Sequence, residues 1–139
     1  MTVKYYFDTC IWRDYYEDRI GFNNRPLGKY ASDLILKILS KGDKILFSDF
    51  VVNELSVAFG YEEIKQMFGL LSLLDILQRV EVTKEEYLKA KILANKRKIP
   101  TVDVLHAIVA RNNGAIVISQ DNHFLQLKDL VDVRKPEDI

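Results

Sequence analysis

Short runs of apolar and β-branched residues alternate along the chain with longer stretches in which apolar residues recur three and four positions apart. The short runs predict buried strands, and the longer stretches predict helices. The predicted strands cover residues 3–7, 44–47, 79–82, 115–118 and 131–133. The predicted helices cover residues 10–17, 30–41, 50–59, 62–77, 84–98 and 102–112, and a shorter one covers residues 123–127.

Capping and turn residues support several of these boundaries. Thr83 and Glu86 form a capping-box pattern before one helix, and Thr101 precedes the next as its N-cap. Gly42 follows a helix at the position where a glycine commonly ends one. The segment 21–28 contains two glycines, two asparagines and a proline, which predicts an irregular loop.

The alternation of strands and helices predicts an α/β fold, a three-layer α/β/α sandwich around a central, mostly parallel sheet. Connections between parallel strands are right-handed, and ligands bind beyond the carboxyl ends of the strands. A chain of 139 residues fits a single domain, residues 1–139, which can bury a core without disulfides.

Composition limits the cellular compartment, the kinds of site and the partners expected for the protein. The single cysteine, Cys10, excludes an intramolecular disulfide and a zinc cluster of thiolates, and it favours a reducing compartment. No apolar run approaches the roughly 20 residues of a membrane helix, and the N-terminus is a poor signal peptide, so we expect a cytoplasmic protein. Lys plus Arg and Asp plus Glu both number 20, so the basic excess of many nucleic-acid-binding proteins is missing.

Two acidic residues follow predicted strands directly or after a short gap. Asp8 comes straight after the first strand, and Asp121 follows the strand that ends at residue 118. Both therefore belong to the carboxyl edge of the predicted sheet, where chemistry is expected. Each also has a purely structural interpretation, Asp8 as a loop residue or helix cap and Asp121 as the N-cap of the short helix that follows it.

Two further acidic residues lie on predicted helices. Glu54 shares its helix face with Val51 and Ala58, so its carboxylate is drawn toward the core and requires a cation or hydrogen bonds. Asp103 lies in the first turn of a helix that is apolar nearly all round. The structural alternatives are an ion pair or a solvated face for Glu54, and a favourable interaction with the helix dipole for Asp103.

If these four acids converge, they require a cation. At an effective dielectric of about 20, two carboxylates about 5 Å apart repel each other by about 3 kcal/mol. Either one of them is protonated or a cation binds, and oxygen ligands suit Mg²⁺ or Mn²⁺. Such an ion can activate a water and stabilise charge on phosphate oxygens. We include neither His106 nor His123 in this predicted site.

The sequence around the four acids resembles PIN-domain nucleases, especially the VapC-type toxins of prokaryotic toxin–antitoxin pairs. The segment YYFDTCIW is similar to the family's opening strand, acid and small polar residue, and SDFVVNEL to the segment that carries its helical glutamate. TVDVLHAIVA is similar to the family's third acid before a helix of small residues. AIVISQDNHF is similar to its strand, Ser/Thr, Asp and downstream Phe.

This resemblance implies a Mg²⁺- or Mn²⁺-dependent endoribonuclease, an antitoxin partner and a homodimer. The implied catalytic and metal-binding residues are Asp8, Glu54, Asp103 and Asp121, with Thr9 and Ser119 as supporting groups. The helices of residues 50–77 are rich in Leu, Ile and Phe, which suits either an antitoxin segment or simply the core. The basic residues expected to contact RNA are Arg13, Lys96, Arg97, Lys98 and Arg111.

Other interpretations of the same sequence stay open. A phosphatase resembling haloacid dehalogenases would use Asp8 as its nucleophile, but it requires a second Asp where Cys10 stands. A PIN-like module that binds RNA or protein without cleaving it is a second alternative. A PIN RNA-processing nuclease outside any toxin–antitoxin pair is a third, and an α/β domain with an unrelated ligand is a fourth.

Overall fold

The structure, a computed structural model, describes residues 2–139. Within that range the strands are β1 (Lys4–Phe7), β2 (Lys44–Phe47), β3 (Leu77–Arg79), β4 (Ala115–Ile118) and β5 (Val133–Arg134). The α-helices are α1 (Thr9–Glu17), α2 (Leu27–Lys41), α3 (Asp49–Leu55), α4 (Tyr61–Leu73), α5 (Lys84–Arg97) and α6 (Thr101–Asn112). Short 3₁₀ helices cover Phe22–Asn24, Asn122–Leu127 and Pro136–Asp138.

The five strands form one entirely parallel sheet in the order β3-β2-β1-β4-β5. Strand β1 is central, and its Lys4 is in register with Lys44 of β2 and with Ala115 of β4. Tyr5 and Tyr6 are at most 5% exposed although successive strand residues point to opposite faces, so both faces of the sheet are covered. The predicted α/β/α sandwich is confirmed.

Aromatic packing fixes the start of α1 against the sheet. The Trp12 ring is fully buried between Phe7 of β1, at 5.5 Å between ring centroids, and Phe68 of α4, at 4.5 Å. Because Trp12 lies one turn into α1, this contact fixes the position of the helix N-terminus at the carboxyl end of β1. Among residues 2–139, no helix combines the length and the apolar character needed to cross a membrane.

The boundary between α4 and β3 differs from the prediction. The helix predicted over 62–77 ends at Leu73, and the strand predicted over 79–82 is β3 at residues 77–79. Asp75 adopts a left-handed backbone conformation with φ of 58°, which no helix continues through. Ile76 then turns into the core, and its carbonyl accepts a hydrogen bond from the Ile45 amide at 2.7 Å.

Smaller differences concern other element ends. Helix α2 starts at Leu27, inside the segment predicted as a loop, and α3 ends at Leu55, four residues early. Pro100, and not Thr101, is the N-cap of α6, where the fixed φ of proline costs no hydrogen bond. The last strand starts two residues later than predicted, at Val133, and ends at Arg134.

Candidate metal centre

Asp8 lies at the point where β1 passes into α1, and hydrogen bonds hold both of its carboxylate oxygens. It is the N-cap of α1, and its Oδ1 accepts a hydrogen bond from the Thr9 amide at 2.7 Å. Its Oδ2 accepts hydrogen bonds from Ser119 Oγ at 2.9 Å and from Cys10 Sγ at 3.0 Å. The side chain is 5% exposed, so Asp8 forms the floor of the site.

Glu54 reaches the same place from α3 and is linked to Asp8 through Thr9. The Thr9 hydroxyl donates to Glu54 Oε1 at 2.7 Å, while the Thr9 amide donates to Asp8. Glu54 Oε1 also lies 2.6 Å from Nε2 of His106, a fully buried residue of α6. Thr9 and His106 together fix the direction of the Glu54 side chain.

His106 is itself held from behind by the core. Its Nδ1 lies 2.7 Å from the hydroxyl of Tyr6, which lies 2.8 Å from Ser48 Oγ. A neutral His106 that donates from Nε2 to the Glu54 carboxylate accepts the Tyr6 hydroxyl at Nδ1. Both nitrogens of this ring are therefore engaged within the protein.

Asp121 and Asp103 form the outer half of the site. Asp121 lies three residues beyond β4, and its amide donates to Ser119 Oγ at 2.9 Å. Asp103 lies in the first turn of α6, and its Oδ2 is 3.2 Å from His123 Nδ1. The His123 amide in turn donates to Asp121 Oδ1 at 2.9 Å.

The structure thus brings the four predicted acids to one edge of the sheet. One path of hydrogen bonds connects them in the order Glu54, Thr9, Asp8, Ser119, Asp121, His123 and Asp103. Within residues 2–139, none of the four acids forms an ion pair with a lysine or an arginine. Among the described residues, no lysine or arginine therefore offsets the negative charge of this cluster, and a bound cation would do so.

Electrostatics inside the cluster reflect this crowding. Burial and the nearby charges of Asp8 and Asp121 raise the pKa of Asp103 to about 6. Burial also raises the pKa of Asp8, and the charge of Glu54 adds to the rise. Burial acts in the same direction on Glu54, but the hydrogen bonds from His106 and Thr9 and the electrostatic effect of His106 outweigh it, so the pKa of Glu54 is lowered.

Three of the acids keep one carboxylate oxygen that no protein donor occupies. Among the described residues, the hydrogen bonds of Glu54, Asp103 and Asp121 fall on one oxygen each, which leaves Oε2, Oδ1 and Oδ2 respectively. Asp8 uses three of the roughly four acceptor positions of a carboxylate. Oxygen donors of this kind fit a hard divalent ion such as Mg²⁺ or Mn²⁺.

The basic residues predicted to contact RNA occupy different surroundings. Arg13 pairs with Glu17 at 3.2 Å, and Arg97 forms a two-bond ion pair with Asp129 at 2.6 and 2.8 Å. Lys96 and Lys98, at the end of α5, are exposed, and Lys98 lines a groove of about 680 Å³ that reaches Thr101 at the start of α6.

Arg111 fits the predicted RNA contact least. It lies in the last turn of α6, whereas Asp103 lies in the first turn. At 1.5 Å per residue, the two residues are separated by about 12 Å along the helix axis. Strand β4 starts shortly after Arg111, so this arginine lies toward the amino edge of the sheet, opposite the acids.

Neither histidine of the site belongs to the ligand set predicted from the sequence. A signal for His123 was present, because it stands two residues after Asp121 in a segment that must lie at the carboxyl edge. His106 stands one turn after Asp103 on the same helix face. Its contact with Glu54 depends on how α3 packs against α6, and no spacing in the sequence gives that information.

The chain is similar to known proteins in both sequence and structure. The PIN domain family matches residues 5–130 of the chain. The comparison with curated proteins gave no match.

Several solved structures share the fold over nearly their whole length. VapBC2 from Rickettsia felis, bound to a DNA fragment from its promoter, is 18% identical, with a TM-score of 0.64 over 96% of this chain and 98% of that chain. VapBC-1 from nontypeable Haemophilus influenzae is 19% identical, with a TM-score of 0.63 over 96% and 98% of the two chains. FitAcB from Neisseria gonorrhoeae is 16% identical, with a TM-score of 0.61 over 97% and 99%.

The family match and the structural likeness agree with each other. The matched region runs from β1 to the segment before β5 and so includes all four acids. The resemblance that the four sequence segments indicated is confirmed over the same region, and the chain belongs to the PIN domain family.

Proposed function

We propose that this protein is a Mg²⁺- or Mn²⁺-dependent endoribonuclease and the toxin of a toxin–antitoxin pair, acting in the cytoplasm. The observation that carries the proposal is a set of four acids that form no ion pair with a lysine or arginine of residues 2–139. Asp8, Glu54, Asp103 and Asp121 share one edge of the sheet, and three of them keep an oxygen free of protein donors. A PIN-like module that only binds RNA would gain nothing from this negative charge, because it repels the phosphates of RNA.

The protein's own groups would position both the ion and the substrate. Asp8, Asp103 and Asp121 would hold the ion, while Thr9 and His106 keep Glu54 directed toward it. Ser119 would keep Asp8 and Asp121 at a fixed spacing, because its hydroxyl donates to one and accepts from the other. A bound divalent ion lowers the pKa of a ligated water and neutralises charge on phosphate oxygens.

We assign the RNA backbone to the groove at the turn between α5 and α6. Lys91, Asn95 and Lys98 line this groove, which runs from α5 to Thr101. Two lysines and an amide offer donors to phosphate oxygens, and the groove ends two residues before Asp103. Of the predicted contacts, Lys98 is the one that lines this path, whereas a phosphate would have to displace Asp129 to reach Arg97.

The proposed antitoxin partner has a suitable groove between α3 and α4. This groove has a volume of about 470 Å³ and contains Val52, Ile64 and Phe68. Tyr61, a large aromatic side chain that lines this groove, is 76% exposed. A toxin–antitoxin complex from Klebsiella pneumoniae has the same fold, with a TM-score of 0.62. We propose that an antitoxin segment covers this apolar surface and that the toxin is a homodimer.

Substitution of two acids tests the enzymatic part of the proposal. Asp8→Asn and Asp121→Asn should each lower Mn²⁺-dependent cleavage of a single-stranded RNA at least about 100-fold, because each removes a negative charge that holds the ion. Cleavage is followed with a labelled RNA, and a DNA of the same sequence serves as the second substrate.

Asp33→Asn is the matched control, since Asp33 lies on α2 and pairs with the exposed Lys29. This variant should cleave like the parent. If Asp8→Asn and Asp121→Asn, both folded by circular dichroism, cleave RNA as fast as the parent, the nuclease proposal is wrong. If the parent protein binds RNA but does not cleave it, the result would instead support the non-catalytic module.

A further inference from the structure

The imidazole of His123, which is not in the predicted ligand set, converges with two acids that are. Asp103, Asp121 and His123 each present a ligand atom, and these atoms all lie within 4.8 Å of one another. His123 Nδ1 is 3.2 Å from Asp103 Oδ2 and 3.7 Å from Asp121 Oδ1. The three side chains come from α6, from the loop after β4 and from the 3₁₀ helix that follows it.

These spacings suit three ligands on one side of an octahedral ion. Adjacent ligands about 2.1 Å from an ion are about 3.0 Å apart, and opposite ligands are about 4.2 Å apart. The two distances from His123 are longer than the adjacent-ligand spacing, so the side chains must draw together by less than about 1 Å for both contacts to suit one ion.

The local fold holds the His123 ring in this place. Its backbone amide is fixed by Asp121 Oδ1 at 2.9 Å, and the next residue, Phe124, is fully buried. The His123 side chain is 49% exposed, so an ion can reach its ring from solvent. His106 differs in this respect, because it is buried and both of its nitrogens already have partners.

We infer that His123 is a direct nitrogen ligand of the divalent ion at the Asp103–Asp121 end of the site and that it makes this site prefer Mn²⁺ to Mg²⁺. The inference rests on the proposed metal site. Imidazole nitrogen is a good ligand for transition metals, whereas Mg²⁺ strongly favours oxygen. Nδ1 would bind the ion in the tautomer that carries the ring proton on Nε2.

Electron spin-echo spectroscopy of bound Mn²⁺ tests this ligand directly. The protein is labelled with ¹⁵N only in its two histidines, and Mn²⁺ is added below one equivalent. We expect ¹⁵N modulation in the parent and its loss in His123→Gln. Asn122→Gln is the control, since Asn122 is exposed and takes part in none of the side-chain hydrogen bonds found in residues 2–139, and it should retain the modulation.

The affinities give a second readout. His123→Gln should weaken Mn²⁺ binding at least about tenfold and change Mg²⁺ binding by less than about twofold, measured by titration with MnCl₂ and by Mg²⁺ competition. Mn²⁺ that binds tightly without ¹⁵N-histidine modulation, or with modulation that persists in His123→Gln, overturns the inference and leaves the metal site standing. A parent that binds no Mn²⁺ overturns both.

Discussion

At the scale of single residues, Asp14 is a buried carboxylate that takes no part in the proposed metal site. Asp14 of α1 is 2% exposed, and its closest cation is Arg19, with Nε 3.8 Å from Oδ1. Burial raises the pKa of Asp14 to about 6, and the charge of Asp8 adds to the rise while Arg19 opposes it. Because the folded-state pKa exceeds the unfolded value of 3.8, folding favours the protonated form.

The free energy of unfolding should therefore fall as the pH rises from about 4 to about 6, and the loss should persist above pH 6. Asp14→Asn removes the charge and keeps the shape of the side chain. Chemical denaturation of the metal-free protein should find this variant about 1–3 kcal/mol more stable than the parent at pH 7.5, and close to it at pH 4.

Asp33→Asn is again the control, because Asp33 is half exposed and its ion pair with Lys29 is on the surface. It should change stability by less than about 1 kcal/mol at either pH. An Asp14→Asn variant that is less stable than the parent at pH 7.5 would show that the Arg19 contact outweighs the cost of burying this charge.

At the scale of secondary structure, the sequence predicted some elements fully and others only in part. Strands β2 and β4 have the predicted bounds because their apolar runs are short and lie between clear polar or glycine positions. The end of α4 was missed because Leu74, Ile76 and Leu77 continue a helical pattern, and only the left-handed conformation of Asp75 breaks it. Apolar spacing carries no information about such a backbone choice.

At the same scale, the end of α5 gives a testable prediction about RNA binding. Lys98 is the C-cap of α5 and is exposed on the groove proposed for RNA. Lys98→Gln should raise the KM for RNA about fivefold and leave kcat unchanged, because a phosphate contact binds the substrate without taking part in the reaction. The slope of log(kcat/KM) against log salt concentration should become shallower by about 0.7.

Lys89→Gln is the matched control, since Lys89 lies on the same helix, is exposed and pairs with Glu85. Its steady-state constants and salt slope should equal those of the parent. Equal salt slopes for Lys98→Gln and the parent would exclude this groove as the path of the RNA backbone.

At the scale of the whole molecule, the strand order determines which acids meet at the site. Placing β1 between β2 and β4 brings Asp8 next to the loop of Asp121, while α3 and α6 deliver Glu54 and Asp103 from the two sides. The sequence indicated that these acids share an edge of the sheet. The bridging hydrogen bonds of Thr9 and Ser119 and the entry of both histidines depend on packing distances, which residue spacing does not contain.

The central claim concerns a divalent ion among four carboxylates, and a crystal structure of the protein grown with MnCl₂ tests it most directly. We predict an anomalous-scattering peak bounded by Asp8, Asp103 and Asp121, about 2.0–2.2 Å from their oxygens and adjacent to Glu54. A crystal with no such peak at millimolar Mn²⁺, or with these carboxylates paired to lysine or arginine, would contradict the account.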